Sequence, residues 1–390
     1  MERIRDVLRH NIRQYGMLFA LIAIMLIFQI LTGGILLRPI NVSRLIFQNS
    51  YILILAIGMM LCILTGGHID LSVGSIVAMV SASSALFSVK LGLPVPLSIF
   101  LSLIVGLLAG MWQGFWIAFV KIPPFIVTLA GMLIFNGVNN IILSGKTVLL
   151  PQLYITIASD SIPDFIGSGG KLHLSTIVIG IICSALYIIM ELFSRAKKKK
   201  FGYDAGSDQL FIAKIIVIAL VINLFTYWLA RANGLTYAVI LLVVLIVIYS
   251  FITNKTVAGR HIYALGGNAK AAELSGINIK RVMFWVYANM GFLAAIAGIV
   301  FAGRLNSASP TAGDGFELDT IAACFIGGAS ASGGVGTIIG AIIGGFIMGI
   351  MNNGMSIMGI STFWQSIIKG LVTIFAVAFD VYSKSKAKVA

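Results

Sequence analysis

Charge is scarce in this chain. Of 390 residues, 13 are Asp or Glu and 27 are Lys or Arg, so 10% are charged, against roughly 25% for a soluble globular domain. A chain this poor in charge cannot cover itself with polar surface in water, which excludes an ordinary soluble domain. Cysteine is as thin. Cys62, Cys183 and Cys324 lie in apolar segments and share no metal or disulfide spacing, so they read as small packing residues. The four histidines, His10, His68, His173 and His261, are scattered near polar breaks. There is no HExxH, GxSxG or Ser-His-Asp set, and an intramembrane enzyme has no support. The spans hold no ladder of acids of the kind a proton-coupled pump needs. Gly333, Gly334 and Gly336 superficially resemble a phosphate loop, but the GxxxxGK[ST] lysine is missing, which argues against nucleotide binding. No cofactor or metal is expected in this chain.

What is present is apolar. Hydrophobic residues make up 59% of the sequence. Runs of about 20 such residues recur along its whole length, as membrane-spanning helices require. They are rich in Ile, Leu, Val, Gly and Ala and lack strict alternation, which argues against a membrane β-barrel. Twelve segments stand out, at 16–37, 50–67, 72–90, 96–120, 122–144, 172–194, 211–230, 236–254, 281–303, 316–332, 334–353 and 361–380. The first is long enough to span and follows a basic head (Arg3, Arg5, Arg9, Arg13), so a cleavable signal is not expected. The expectation is an all-α polytopic membrane protein with a single transmembrane domain over 1–390.

The net charge of +14 first suggests nucleic acid, but its placement does not. With the N-terminus in the cytoplasm, nineteen of the 27 basic residues fall on cytoplasmic positions, seven outside, and Lys369 inside the last span. This is the bias of a topology signal. It predicts cytoplasmic termini and a cytoplasmic 255–280 segment, and makes a nucleic-acid partner unexpected. The Lys197–Lys200 run can touch anionic membrane lipid. The outer loop 144–171 reads as an ordered cap or as a solvated connector.

Within 255–280, Gly259 to Ile277 reads GRHIYALGGNAKAAELSGI. Gly266 and Gly267 predict a turn, Asn268 a cap, Ala269–Ser275 a short helix, and Gly276 a left-handed end. A helix of about seven residues is marginal alone, so it needs a surface to lie on.

Two breaks fall where breaks are costly. In GGHIDLSVGS (66–75), Asp70 reads as a cap on the next helix at a tight turn, and Asp70, Ser72 and Ser75 can also line a pathway or a gate hinge, since irregular backbone at membrane depth commonly surrounds transport routes. At 314–320, Glu317 and Asp319 precede a short apolar piece that reads as a half-helix or an irregular crossing. Glu317 reads as a capping carboxylate. Gly106, Gly110 and Gly114, and again Gly336, Gly340 and Gly344, give smooth faces for close helix approach. Asn136, Asn139, Asn140, Gln113, Asn289, Asn352, Asn353 and Gln365 are polar residues within spans. They can hydrogen-bond a sugar or bridge helices.

These motifs, with LDTIAACFIGGASASGGVGT (318–337) and WQSIIKGLVTIFAVAFD (364–380), resemble the permease subunit of bacterial ABC importers for ribose, xylose, galactose and multiple monosaccharides. The likeness covers about residues 40–380. The chain is longer than the short ribose- and galactose-type members, and the excess maps to about 195–236, as in the xylose and multiple-sugar members. Without it, the resemblance implies the ten-helix core of the vitamin B12-type (type II) importers, with two extra spans.

The resemblance also implies a division of labour. A separate ATPase, often a fused double-domain protein, drives the cycle. An extracytoplasmic binding protein delivers a monosaccharide, and two permease copies form the pathway in the bacterial inner membrane. Coupling to the ATPase falls on Gly266, Gly267, Asn268, Ala271, Ala272, Ser275 and Gly276. The pathway falls on Asp70, Ser72, Gly74, Asn136 and Asp319. Competing readings are an ABC permease for branched-chain amino acids, an autoinducer or nucleosides, and an ion-coupled carrier working alone through Asp70.

Overall fold

The structure, a computed structural model, describes residues 12–167, 172–203, 207–232 and 234–389, without the side chains of 12–15, 379–380 and 382–389. Arg3, Arg5, Arg9 and Lys171 of the charge argument lie outside the described residues.

Fifteen helices are described, as the apolar composition requires. They are α1 Ile12–Leu31, α2 Pro39–Leu64, α3 Val73–Ala85 (continued by a π-turn, Leu86–Lys90), α4 Val95–Ala118, α5 Pro124–Leu143, α6 Gln152–Ser159, α7 Leu174–Lys200, α8 Asp208–Ala230, α9 Tyr237–Lys255, α10 Val257–Gly267, α11 Ala269–Leu274, α12 Ile279–Leu305, α13 Phe316–Ile326, α14 Ile338–Ile357 and α15 Thr362–Val389. Among the described residues, nine are long and apolar enough to cross a membrane, and 16–31 and 362–378 are shorter apolar helices. The starts and stops follow local chemistry. The side chains of Thr256, Asn268, Asn278 and Thr337 each accept the N–H three residues on, at 3.0–3.3 Å, satisfying donors a helix start leaves open.

The chain forms two compact units. The larger holds the described parts of Met1–Leu36, Leu45–Ser159 and Ala238–Ala390. Its core is the second half of α2, all of α3, and α12. Every residue of α3 is buried although four are serines. Their hydroxyls are satisfied within the bundle: Ser81 donates to the Val77 and Gly298 carbonyls, Ser83 to Met79 and Ser84 to Ser102. The Gly106–Gly110–Gly114 face lies on Phe284, Tyr287 and Gly291 of α12, so closely that a Cβ on any of the three would overlap backbone. This is the packing its spacing predicted. The second run behaves differently. Gly340 and Gly344 pack α14 onto α13, whereas Gly336 precedes the helix in a left-handed bend beside Met60.

Two details depart from the sequence reading, and two decide between its alternatives. The second span begins at Pro39, not near 50, because the helix continues through Arg44. Helix α13 has 11 residues, about 16 Å, too short for a hydrocarbon layer of roughly 30 Å, so it is a half-helix. The loop after α5 is ordered: β1 (Val148–Leu149) pairs antiparallel with β2 (Ser307–Ala308), and α6 packs on α12 where Gly303 makes room for the Tyr154 carbonyl. Finally, Gly266 and Gly267 are not a turn. They are the last residues of α10, a helix begun by the Thr256 cap.

The smaller unit is Leu37–Arg44 with Asp160–Tyr237. In it α7 and α8 form an antiparallel pair, wider than the 195–236 excess. Gly180 faces Thr226 where they meet, and Asn223 bonds the Ser184 hydroxyl at 3.1 Å. Arg195–Asp208 and Lys214–Glu191 ion pairs tie the two helices.

Candidate coupling and pathway sites

The 259–277 segment is a helix–cap–helix. Helix α10 ends at Gly267, Asn268 caps α11 by accepting the Ala271 N–H at 3.0 Å, and α11 stops at Gly276, whose φ is +84°. Only six residues are helical in α11. Ala272 is buried, while Gly267, Asn268, Ala271, Ser275 and Gly276 are exposed. The short helix therefore rests on the bundle by one side.

Its support is a cluster of tight turns. A Cβ on Gly266 would collide with the Leu64 carbonyl at the end of α2 and crowd the Gly334 amide. Gly334 N–H donates to that same Leu64 carbonyl at 3.0 Å. Tyr263 donates from its hydroxyl to the Gly336 carbonyl at 2.7 Å. Gly67 and Gly333 close the contact between the 64–67 turn and the 330–336 loop. The glycines that resemble a phosphate loop are thus a docking turn for the 259–277 segment. Sequence spacing could not show this, because Tyr263 is 73 residues from Gly336 and Leu64 lies farther still from Gly334. Beside the cluster, Thr65, His68, Lys121, Glu273 and Lys280 help line a cavity of about 350 Å³.

The sequence reading missed Leu274. It is apolar, ends α11 and is 84% exposed. Its signal was present: a lone large hydrophobe in a segment read as polar.

From the turn cluster the chain runs non-helically through 65–72 before α3 begins at Val73. Asp70 and Ser72 are wholly buried. Asp70 Oδ1 accepts the Ser72 N–H at 2.8 Å and the Ser72 hydroxyl at 2.6 Å. Gln113 of α4 donates to the same hydroxyl from Nε2. This ties the broken stretch to the start of α3 and to a neighbouring helix. Asp70 Oδ2 and Gln113 Oε1 are buried without a partner. Gly74 lies against the Gly313 carbonyl, again at a distance a Cβ would forbid.

Asp319, in the first turn of half-helix α13, pairs with Lys369 of α15 at 2.8 Å. Both side chains are mostly buried, at 18% and 24% exposure. The lone lysine of the last span thereby has its counter-charge. Asn136 is half-buried on α5, and its carbonyl accepts from Asn140 at 2.9 Å. Nearby Asn139 is buried and bridges α5 to the Pro310 carbonyl at 3.0 Å. The five pathway candidates are engaged in different ways. Asp70 and Ser72 form one buried node, Gly74 a close backbone approach, Asp319 an ion pair, and Asn136 a separate position.

In the smaller unit, Asp164 makes a cap from outside the helix it serves. Its carboxylate accepts from the N–H groups of Gly167, Leu174 and Ser175, each at 3.0 Å, and from the Ser175 hydroxyl at 2.8 Å. Desolvation pushes its pKa upward, but these donors, Ser175 first, outweigh it and hold the carboxyl well below the usual carboxylate range.

A polytopic bundle with a broken helix, a half-helix and a docked short helix defines a membrane transport component. The chain belongs to the family described as branched-chain amino acid transport system / permease component, matched over residues 41–377. It is similar to a xylose transport system permease protein of Haemophilus influenzae, 37% identical over 376 residues, covering 96% of this chain and 98% of that one. The xylose transport system permease protein of Escherichia coli K12 is 39% identical, covering 97% and 94%. A ribose import permease protein of Bacillus subtilis is 34% identical, covering 94% and 92%. No solved structure matches the chain.

Proposed function

We propose that this chain is the membrane-spanning permease subunit of an ATP-driven sugar importer in a bacterial inner membrane, with both termini cytoplasmic. The observation that carries the reading is near full-length similarity to xylose and ribose permeases. The exposed α11, propped on the turn cluster, gives it a mechanical part. ATP closes a separate ATPase, in a fused double-domain chain, against Leu274, Asn268, Ala271 and Ser275. Gly266 and Gly267 pass that movement to the ends of α2 and the 330–336 loop. The 65–72 break and half-helix α13 then rearrange beside the pathway, with Asp70 and Ser72 holding the break together and Asp319 and Lys369 linking α13 to α15. A second copy completes the pathway, an extracytoplasmic binding protein delivers the monosaccharide, and the larger unit follows the vitamin B12-type plan.

The competing cargo is a branched-chain amino acid, favoured by the family's description. An ion-coupled carrier is disfavoured, because working alone it would leave the exposed α11 without a partner to lie against.

Reconstitution tests the reading. With ATPase and binding protein, vesicles should accumulate xylose or ribose only with ATP, and the chain alone should move neither. Gly276→Pro, which cannot adopt positive φ, and Ala272→Glu should insert normally but abolish ATP-driven uptake. Sugar flux without an ATPase, or full uptake by both variants, would overturn it.

A further inference from the structure

Helices α2, α12 and α14 border an open polar cavity of about 160 Å³, lined by Gln48, Asn49, Tyr51, Arg304, Asn352 and Asn353. Its depth can be read from the helices. Both α2 and α14 have one end at the turn cluster, at Leu64 and beside Gly336. Tyr51 and Asn352 each lie about 20 Å along their helix from that end, at 1.5 Å per residue. Across a hydrocarbon layer of roughly 30 Å, the cavity is beyond the midplane, on the side away from the coupling segment. Polar groups at such depth are costly and mark substrate routes by default.

The side chains are held in place. The Tyr51 ring belongs to a three-ring cluster with Phe301 and Phe316, at centroid distances of 4.9 and 4.6 Å, and those two rings lie 4.9 Å from each other. Arg304 donates from Nη1 to the Gln48 carbonyl at 3.1 Å, and its guanidinium lies 5.6 Å from the Tyr51 ring centre. Asn49 donates from Nδ2 to the Leu45 carbonyl at 2.7 Å, which leaves its oxygen as an acceptor. Gly349 is the residue that lets the Asn49 side chain lie against α14, since a Cβ there would come within 2.8 Å of its Cγ. Asn352 Oδ1 is buried and accepts nothing.

We propose that this cavity is a sugar-binding station of the permease, one that takes a single neutral monosaccharide ring. The inference rests on the importer reading above and gives it a site. Four carboxamides, a phenol and a guanidinium supply donors and acceptors side by side, as vicinal hydroxyls require. No carboxylate lines the cavity, so the ammonium of an amino acid has no partner there. The volume is below the roughly 300–1,000 Å³ of drug-sized sites, which suits one ring.

The test uses the complete importer in proteoliposomes, with labelled xylose, ribose, glucose and leucine. Asn352→Leu and Gln48→Ala should lower xylose or ribose uptake about tenfold or more, while the apparent melting temperature of the assembly moves by no more than about 2 °C. Asn353→Ala enlarges the cavity and should raise the glucose-to-pentose uptake ratio at least about threefold, a change a purely structural role would not produce. Wild-type sugar uptake with unaltered rates and ratios in all three variants overturns the station and leaves the importer standing. Loss of uptake in step with loss of thermal stability also overturns it. Wild-type uptake of leucine and of no sugar overturns the importer reading and the station together.

Discussion

Helices α2 and α8 are both apolar enough to cross a membrane, yet 78% of the apolar window of α2 is buried within the protein and only 6% of that of α8. Helix α2 sits in the core of the larger unit and carries Asn49, Ser50 and the turn-forming Gly66–Gly67 at or beyond its end. Helix α8 packs chiefly on α7 and turns most of its surface outward. Hydropathy thus reports that a segment leaves water. It does not report whether lipid or protein receives it, because lipid tails are as apolar as leucine and packing in membranes selects for small and polar residues instead.

The same contrast holds for two aspartates. Asp70, in the larger unit, has two donors on one oxygen and none on the other. Asp164, in the smaller, has both oxygens engaged from a loop. The first is a buried node whose removal strands its partners. The second is a local clasp.

These differences can be broken by substitution, and the largest effect is expected from glycines. Gly266→Val would drive a side chain into the Leu64 backbone and the Gly334 amide, and should cut ATP-driven uptake by more than tenfold. Gly180→Val in the smaller unit meets only the Thr226 side chain, so it should lower stability by the about 1–3 kcal/mol of an overpacked contact with little loss of uptake. Equal effects on uptake would erase the distinction between the units.

Next in size is Asp70→Ala, which strands the Ser72 hydroxyl and amide. It should cost about 1.5–3 kcal/mol, read as a lower apparent melting temperature, and Asp70→Asn should recover part of it. Asp319→Ala should cost about 1–3 kcal/mol, less than a fully buried pair, and a second change, Lys369→Met, should restore much of the loss. Absence of that rescue would mean the ion pair is incidental.

The smallest effects belong to the smaller unit. Lys214→Ala breaks an ion pair whose lysine is 51% exposed and should change stability by less than about 1 kcal/mol. Asp164 should show its role through pH. Its pKa is lower folded than unfolded, so its stabilisation is present above the ordinary carboxylate value near 4 and is lost as pH falls below it. Hydrogen exchange at Leu174 and Ser175, corrected for intrinsic rate, should differ between wild type and Asp164→Ala at pH 6, and the difference should shrink steadily as pH is lowered below about 4. A difference as large at pH 2 as at pH 6 would remove the carboxylate from the explanation.

Much of the architecture was legible in the chain. Each of the twelve apolar segments carries a helix, with α13 short as its composition allowed. The Asn268 cap and the Gly276 stop were readable because both depend on three or four neighbouring residues. Helix α10 was not, since the three glycines of GRHIYALGG signal a turn and its helix is sustained by packing of Ile262 and Leu265 into the core. The partners that Gly74 and Asp319 take, Gly313 and Lys369, were equally hidden. Spacing along one segment says nothing about which other segment faces it.

By itself, then, the sequence determined that this is a helical membrane protein, where its spans lie, and where the short helix after Asn268 is capped and ended. Those properties come from local apolar runs and from side chains bonding their own backbone. Only the tertiary structure decided that Gly333–Gly336 supports Gly266, that Lys369 neutralises Asp319, and that Gln48, Tyr51, Arg304 and Asn352 share one cavity. Each of these joins residues far apart in the chain, and close packing of helices is what brings them into contact.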